Sequence, residues 1–292
     1  MDLILPILVN GSAIALVALG FHLVMRSTGG IADFAIGQYV IIGGLTGALF
    51  SIKLNVSALY AVIIGCLAST LVAFLNETAV IRPTVMRNRN PTAIGPVLVT
   101  VSLLMIWEQV ARLVFGDLPL RGPSFLAGVR YSIGEIIIPA HSVVIVVITA
   151  LIFLIVQLWL GYSKSGLMLR AVGDNRLAAE LLGFRVNRSR AVAFMLAGIT
   201  VGIGGGLVCP LSGFWPLGGG YYTINGFIAL FLGGVATPVG ALVGGMLLEA
   251  LKILVSRYLG NGYQDYLVLT LALLVFAFRP QGLLGKSKTR NG

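Results

Sequence analysis

Glu108 and Arg112 stand four residues apart, and Glu249 and Lys252 three apart, each pair inside an otherwise apolar run. At those spacings opposite charges share a helix face and neutralise one another. An ionisable group at membrane depth also marks a route for a solute or a proton. Structural pairing is the favoured reading, because all four residues fall in the outer parts of their runs, where long side chains snorkel. Glu249 is the better pathway candidate, since it ends an uncharged stretch, residues 191–248. Other chemistry is thin. Gly285-Lys286-Ser287 imitates the end of a phosphate-binding loop, but Pro280 stands where its first glycine belongs and only five residues follow. The chain therefore has no ATP site and no cofactor of its own. His22 and His141 read as helix-end residues, Cys66 and Cys209 as small packing residues. No metal-ligand spacing and no catalytic constellation assembles from them.

A second polar feature interrupts the apolar sequence. Residues 27–38 read STGGIADFAIGQ and place Asp33 and Gln38 around Phe34 and Gly37. Irregular backbone at membrane depth persists only where protein or a water-filled cavity covers it, and transporters build solute sites from such breaks. Asp33, Phe34, Gly37, Gln38 and Glu249 are the candidate translocation residues. The other reading of 27–38 is a loop leading into the second span.

These residues have to be positioned by elements that live in lipid. The chain is 58% hydrophobic and 10% charged, with a mean hydropathy of +0.99. Soluble domains carry about 25% charge. The apolar runs are continuous rather than alternating, which favours helices over a barrel. The pattern predicts an all-α polytopic membrane bundle of eight to nine spans. In the nine-span version they cover about 4–25, 39–52, 56–80, 92–115, 140–161, 191–210, 222–237, 239–257 and 263–278, with 218–237 open to a re-entrant reading. The whole chain, 1–292, reads as one transmembrane domain. The first run lacks a basic segment before it, so it is a retained span rather than a cleaved signal. The net charge of +10 belongs to membrane topology and implies no nucleic acid. Arg82, Arg87 and Arg89, the six basic residues of 163–190, and the tail with Arg279, Lys286, Lys288 and Arg290 fall on one side, which the positive-inside rule makes cytoplasmic. That puts the N-terminus outside. Glycine spacings such as Gly43-Gly44 to Gly47, Gly202 to Gly206 and Gly240 to Gly244 read as close helix packing.

The segment DNRLAAELLG, residues 174–183, is unlike the rest. Asp174 is the expected N-cap, Leu177, Ala178, Leu181 and Leu182 share a face, Arg176 and Glu180 lie four apart, and Gly183 is the stop. Two helical turns are marginal alone in water and need a surface to lie on. Small apolar residues with mixed charges suit a protein groove better than a lipid interface.

The run GLMLRAVGDNRLAAELLGFRVNRSRAVAFMLAGITVGIGG, together with GGVATPVGALVGGMLLEALK at 233–252 and RPQGLLG at 279–285, resembles permease subunits of branched-chain amino acid ABC importers, the LivH type. The resemblance covers about residues 10–285. It implies that 174–183 is a coupling helix that docks into a cytoplasmic ATPase. It also implies a second permease subunit in a heterodimer, two ATPase subunits carrying ATP and Mg, a periplasmic solute-binding protein, and a bacterial inner membrane location with its lipid. Members often show Asn, His and Glu where this chain has Asp33, Ile36 and Gln38. The resemblance therefore leaves the solute open between branched-chain amino acids and urea, amides or aromatic carboxylates. A transporter driven alone by an ion gradient is the competing class.

Overall fold

A computed structural model describes residues 4–87, 94–133, 136–278 and 282–283. The tail residues Arg279, Lys286, Lys288 and Arg290, the Gly285-Lys286-Ser287 stretch and Arg89 lie outside the described residues. Helix α1 spans Ile4–Thr28, α2 Ile36–Leu54 and α3 Ala58–Leu75. A π-helical turn, Asn76–Ile81, joins α3 to α4, Arg82–Arg87. Then come α5 (Ile94–Phe115), an antiparallel hairpin of β1 (Arg130–Ile133) and β2 (Ile136–Pro139), and α6 (Ala140–Tyr162). The charged segment holds α7 (Lys164–Asp174) and α8 (Arg176–Leu181). After it run α9 (Val186–Ser212), α10 (Gly219–Gly233), α11 (Pro238–Tyr258) and α12 (Gln264–Phe278). The hairpin was not anticipated from the polar 116–139 stretch.

Seven helices among the described residues are long and apolar enough to cross a membrane. The two expected spans that fall short are α10 and α12, each of 15 residues. Fifteen residues reach about 22 Å, less than the roughly 30 Å hydrocarbon core. The count of eight to nine is thus an approximation.

The long helix α9 is the centre of the bundle and packs on α1, α2 and α3, while α11 packs on α1 and α10. Glycines make these approaches possible. A Cβ on Gly43 would meet Gly202 backbone, one on Gly205 the Val40 carbonyl, and one on Gly244 the Ala229 carbonyl. Small residues replace the missing hydrophobic drive between helices in lipid. At the rim, Leu98, Met105 and Leu113 on α5, Leu151 and Leu154 on α6, and Leu269 and Leu273 on α12 are exposed. In a membrane protein such a face belongs against lipid or another subunit.

The basic segments share one end of the bundle. Arg26 near the end of α1 donates to the Ala236 carbonyl at the α10–α11 turn and lies 3.7 Å from Asp174. Arg82 reaches the Asn187 carbonyl at the start of α9. Leu283 donates to the Leu232 carbonyl, which brings the start of the C-terminal segment to the same end.

Candidate functional site

The chain breaks between α1 and α2 inside the bundle. α1 ends because Gly29 and Gly30 adopt positive φ angles of 77° and 105°, a conformation that costs other residues steric strain. The Gly30 amide then folds back onto the Met25 carbonyl at 2.8 Å, closing the end of the helix. Residues 29–35 run back along α1, so that Ile36 packs against Gly20 and Phe34 against Phe21. Gly20 lies eight residues before the end of α1, about 12 Å along its axis. α2 therefore starts at depth. The irregular stretch is shorter than 27–38: Ser27 and Thr28 still belong to α1, and Gly37 and Gln38 already belong to α2.

Asp33 sits in the break with 1% exposure. Its Oδ1 accepts the Ala35 amide at 3.0 Å and its Oδ2 accepts the Tyr39 hydroxyl at 2.6 Å. Tyr39 in turn accepts from Asn76 Nδ2 at 3.0 Å, and Asn76 Oδ1 accepts the Trp107 indole at 2.9 Å. A polar chain thus links the break, α2, the π-turn and α5. Phe34 joins Phe21 and Phe227 in an aromatic cluster. Gly37 is the crossing point of α2 and α10: its amide donates to Thr223 Oγ1 at 3.1 Å, and a Cβ there would come within 2.1 Å of the Gly219 carbonyl oxygen. Gln38 is fully buried, with Nε2 donating to the Pro216 carbonyl at 2.9 Å and the Trp107 carbonyl at 3.4 Å.

Glu249 lies apart from that cluster, on α11. It pairs with Lys252 at 3.7 Å, as its spacing suggests. Both are buried, which corrects the expectation of snorkelling side chains. Lys252 donates to the Tyr221 hydroxyl at 2.6 Å and Asn225 Oδ1 at 3.2 Å, and its Nζ stands 4.5 Å from the Tyr221 ring centre.

At the basic end, α8 forms where expected but with a different cap. Asp174 is the last residue of α7, and Asn175 Oδ1 accepts the Ala178 amide at 3.0 Å. The extended backbone an N-cap needs is found at Asn175, with φ −155° and ψ 100°. Asp174 faces Arg26 instead. Arg176 and Glu180 pair at 3.0 Å, and Gly183 turns the chain with φ 81°. Leu177, Leu181 and Leu182 are 68%, 81% and 75% exposed. Ala178 is half-buried, and the residue that anchors the helix is Ala179, buried against Val172 and Val186. Beside α8 a cleft of about 640 Å³ is lined by Arg82, Glu180, Phe184, Arg185, Asn187 and Arg188, among others.

The family described as "Branched-chain amino acid transport system / permease component" matches residues 3–278. The chain belongs to that family. This permease is 27% identical over 293 residues to the high-affinity branched-chain amino acid transport system permease protein LivH of Salmonella typhimurium, covering 94% of this chain and 92% of that one. It is 26% identical over 292 residues to the permease protein BraD of Pseudomonas aeruginosa, with the same coverage. The ribose import permease protein RbsC of Escherichia coli matches at 32% over 143 residues, 44% of this chain and 43% of that one.

One buried ion pair of this permease escaped the sequence reading, and one expected pair does not form. Glu77, in the π-turn, is fully buried and accepts from Arg190 Nε at 2.9 Å and Arg82 at 3.2 Å. A lone glutamate at the edge of an apolar run gives no spacing signal, since its partner arrives from α9. Glu108 and Arg112 do not pair: Arg112 binds Asp117, and Glu108 Oε1 accepts the Gly220 amide at 3.3 Å. The histidines are structural carbonyl partners. His22, inside α1 rather than at its end, contacts the Val235 carbonyl, and His141 at the start of α6 the Leu207 carbonyl, both at 2.8 Å. Among the described residues no three His, Cys, Asp or Glu side chains gather to hold a metal ion.

Proposed function

We propose that this chain is the membrane-spanning subunit of an ATP-binding-cassette importer that carries branched-chain or related amino acids. Solute passes along the break between α1 and α2 by alternating access. A second permease subunit completes the pathway, two ATPase subunits supply ATP and Mg, and a periplasmic binding protein delivers the solute. The chain lies in the bacterial inner membrane with its N-terminus periplasmic and its basic end, including the C-terminus, cytoplasmic.

The observation that carries this reading is α8. A six-residue helix presents Leu177, Leu181 and Leu182 to its surroundings while Ala179 ties it to the bundle. Such a helix is not stable alone, and three open leucines suit a partner's groove. Burying two of them supplies roughly 3–6 kcal/mol before entropic losses. The anchoring supports a transmitting role: α7 touches Arg26 on α1 through Gly173 and Asp174, and Arg26 holds the α10–α11 turn. Movement of α8 thus has a packed route to α1, the helix that leads into the break. A transporter driven by an ion gradient has no use for such a helix.

The test is reconstitution with the second permease, the ATPases and the binding protein in proteoliposomes, followed by ATP-dependent uptake of amino acids. Leu181→Asp is expected to abolish uptake and ATPase stimulation while the purified chain keeps its thermal stability. Normal coupling in that variant sinks the docking role of α8. Uptake by the chain alone under an ion gradient sinks the importer reading.

A further inference from the structure

The start of α10 is a second broken point. Its N-cap, Gly218, offers no side chain, and its first residue, Gly219, is pressed onto the start of α2. The positive end of a 15-residue helix is thereby set within the bundle, where amides without intrahelical partners attract a carboxylate. The Gly220 amide is met by Glu108 Oε1, at the long distance of 3.3 Å. On the other side is Gln38. Its Nε2 is committed to the carbonyls of Pro216 and Trp107, which settles which way its amide points. Oε1 is turned to Gly219, so close that a Cβ there would lie 2.1 Å away. This buried oxygen finds no hydrogen-bond donor among the described residues. An unfilled buried acceptor is costly, and a native structure retains one where something else fills it.

The chemistry needed to complete the turn has two halves. Gln38 Oε1 and the Glu108 carboxylate are acceptors and call for a cationic donor. The α10 amides are donors and call for an anion. One carbon bearing an ammonium and a carboxylate satisfies both within a few ångströms. We propose that the first turn of α10, with Gln38 and Glu108, is the subsite for the α-ammonium and α-carboxylate of the transported amino acid. The carboxylate takes the Gly220 amide that Glu108 now occupies, and Glu108 turns to share the ammonium with Gln38. Glu108 and Gly220 are partly exposed, so the subsite is approached from their side, where Trp215, Leu217 and Tyr221 are exposed and can receive an aliphatic side chain. Tyr221 is itself fixed by Lys252. The inference rests on the importer reading and names which part of the solute the membrane subunit recognises.

The two permease subunits and the ATPases in detergent, without the binding protein, are tested for binding of radiolabelled L-leucine, with isocaproate, which lacks the ammonium, and isoamylamine, which lacks the carboxylate, as competitors. Wild type is expected to prefer leucine to both. Gln38→Met and Glu108→Gln are expected to weaken leucine binding roughly tenfold or more, as for loss of a charged hydrogen bond, while isocaproate binds as before. That collapse of the leucine-to-isocaproate ratio is a signature that mere loosening of the fold does not produce. If Gln38→Met fails to assemble, the partly exposed Glu108→Gln decides. A ratio unchanged in every variant that assembles overturns the subsite, as does a wild-type complex that binds isocaproate as tightly as leucine. Proteoliposome uptake separates the two levels: leucine import by wild type with an unchanged ratio removes the subsite and leaves the importer reading standing. No import of any amino acid removes both.

Discussion

Arg190 Nε stands 2.9 Å from Glu77 Oε1, across 113 positions of sequence, and neither side chain is exposed. The pair joins the start of α9 to the π-turn that ends α3. That turn holds the neighbours Asn76 and Glu77, both in the interior. Asn76 looks to the break through Tyr39, and Glu77 looks to the basic end through Arg190 and Arg82. One wide turn thus connects the two regions.

Arg190→Leu takes the fully buried partner from Glu77 and leaves it only Arg82, so it is expected to cost less than the roughly 3–5 kcal/mol of a buried charge left wholly unpaired. Arg82→Leu should cost much less, because Arg82 is one-third exposed and Glu77 keeps Arg190. Unfolding of the purified variants in one detergent measures both. The double variant Glu77→Gln with Arg190→Gln should lose less than the sum of its two single variants, since together the changes remove both buried charges.

Asn175, rather than Asp174, caps α8. Asn175→Ala is expected to cost about 1 kcal/mol locally and to speed amide hydrogen exchange across 176–181. Asp174→Ala should leave those amides unchanged and loosen only the contact with Arg26. Hydrogen exchange read by mass spectrometry distinguishes the two, and equal effects would contradict the cap assignment.

The Gly37 crossing tolerates no side chain, because the atoms a Cβ meets are the Gly219 carbonyl oxygen and the Thr223 backbone nitrogen and hydroxyl. Gly37→Ala is expected to separate α2 from α10 and lower the melting temperature sharply. Gly161→Ala, in α6 with open space around it, should be neutral or stabilising by up to about 1 kcal/mol, the helix propensity difference. A Gly37→Ala protein as stable as wild type would mean the two helices do not touch there.

Tyr39→Phe removes one hydroxyl that serves both Asp33 and Asn76. Leaving a buried carboxylate oxygen without its donor costs about 1–3 kcal/mol. Trp107→Phe deprives Asn76 Oδ1 of its donor in the same chain. Because the two changes act on one network, their costs should fall short of additive in a double-variant unfolding experiment.

The membrane class, the positions of most spans and the charged helix were legible in the residues, while 27–38 read equally as a break or a loop. Each rests on local physics: apolar run length, glycine punctuation, and leucine spacing beside a Gly stop. The cap of α8 was misplaced by one residue because Asp and Asn are equal as N-caps, and only the backbone, helical through Asp174 and extended at Asn175, chooses between them. Glu108–Arg112 had the spacing of a pair and did not form, because Asp117 lay nearer Arg112 and the Gly220 amide came to Glu108.

What the residues alone determined about this protein is that it lives in lipid, that polar residues interrupt its apolar runs near Asp33, and that a short amphipathic segment stands among charges at 174–183. Hydrophobic run length and turn chemistry act over a few neighbours, so one strand of text suffices for them. Only the tertiary structure decided that Glu77 belongs with Arg190, that Gly37 meets Gly219, and that Gln38 keeps an unfilled oxygen at the start of α10. Those relations join residues more than a hundred positions apart, and they depend on how closely glycine lets two helices approach, a quantity that exists only once the helices are packed.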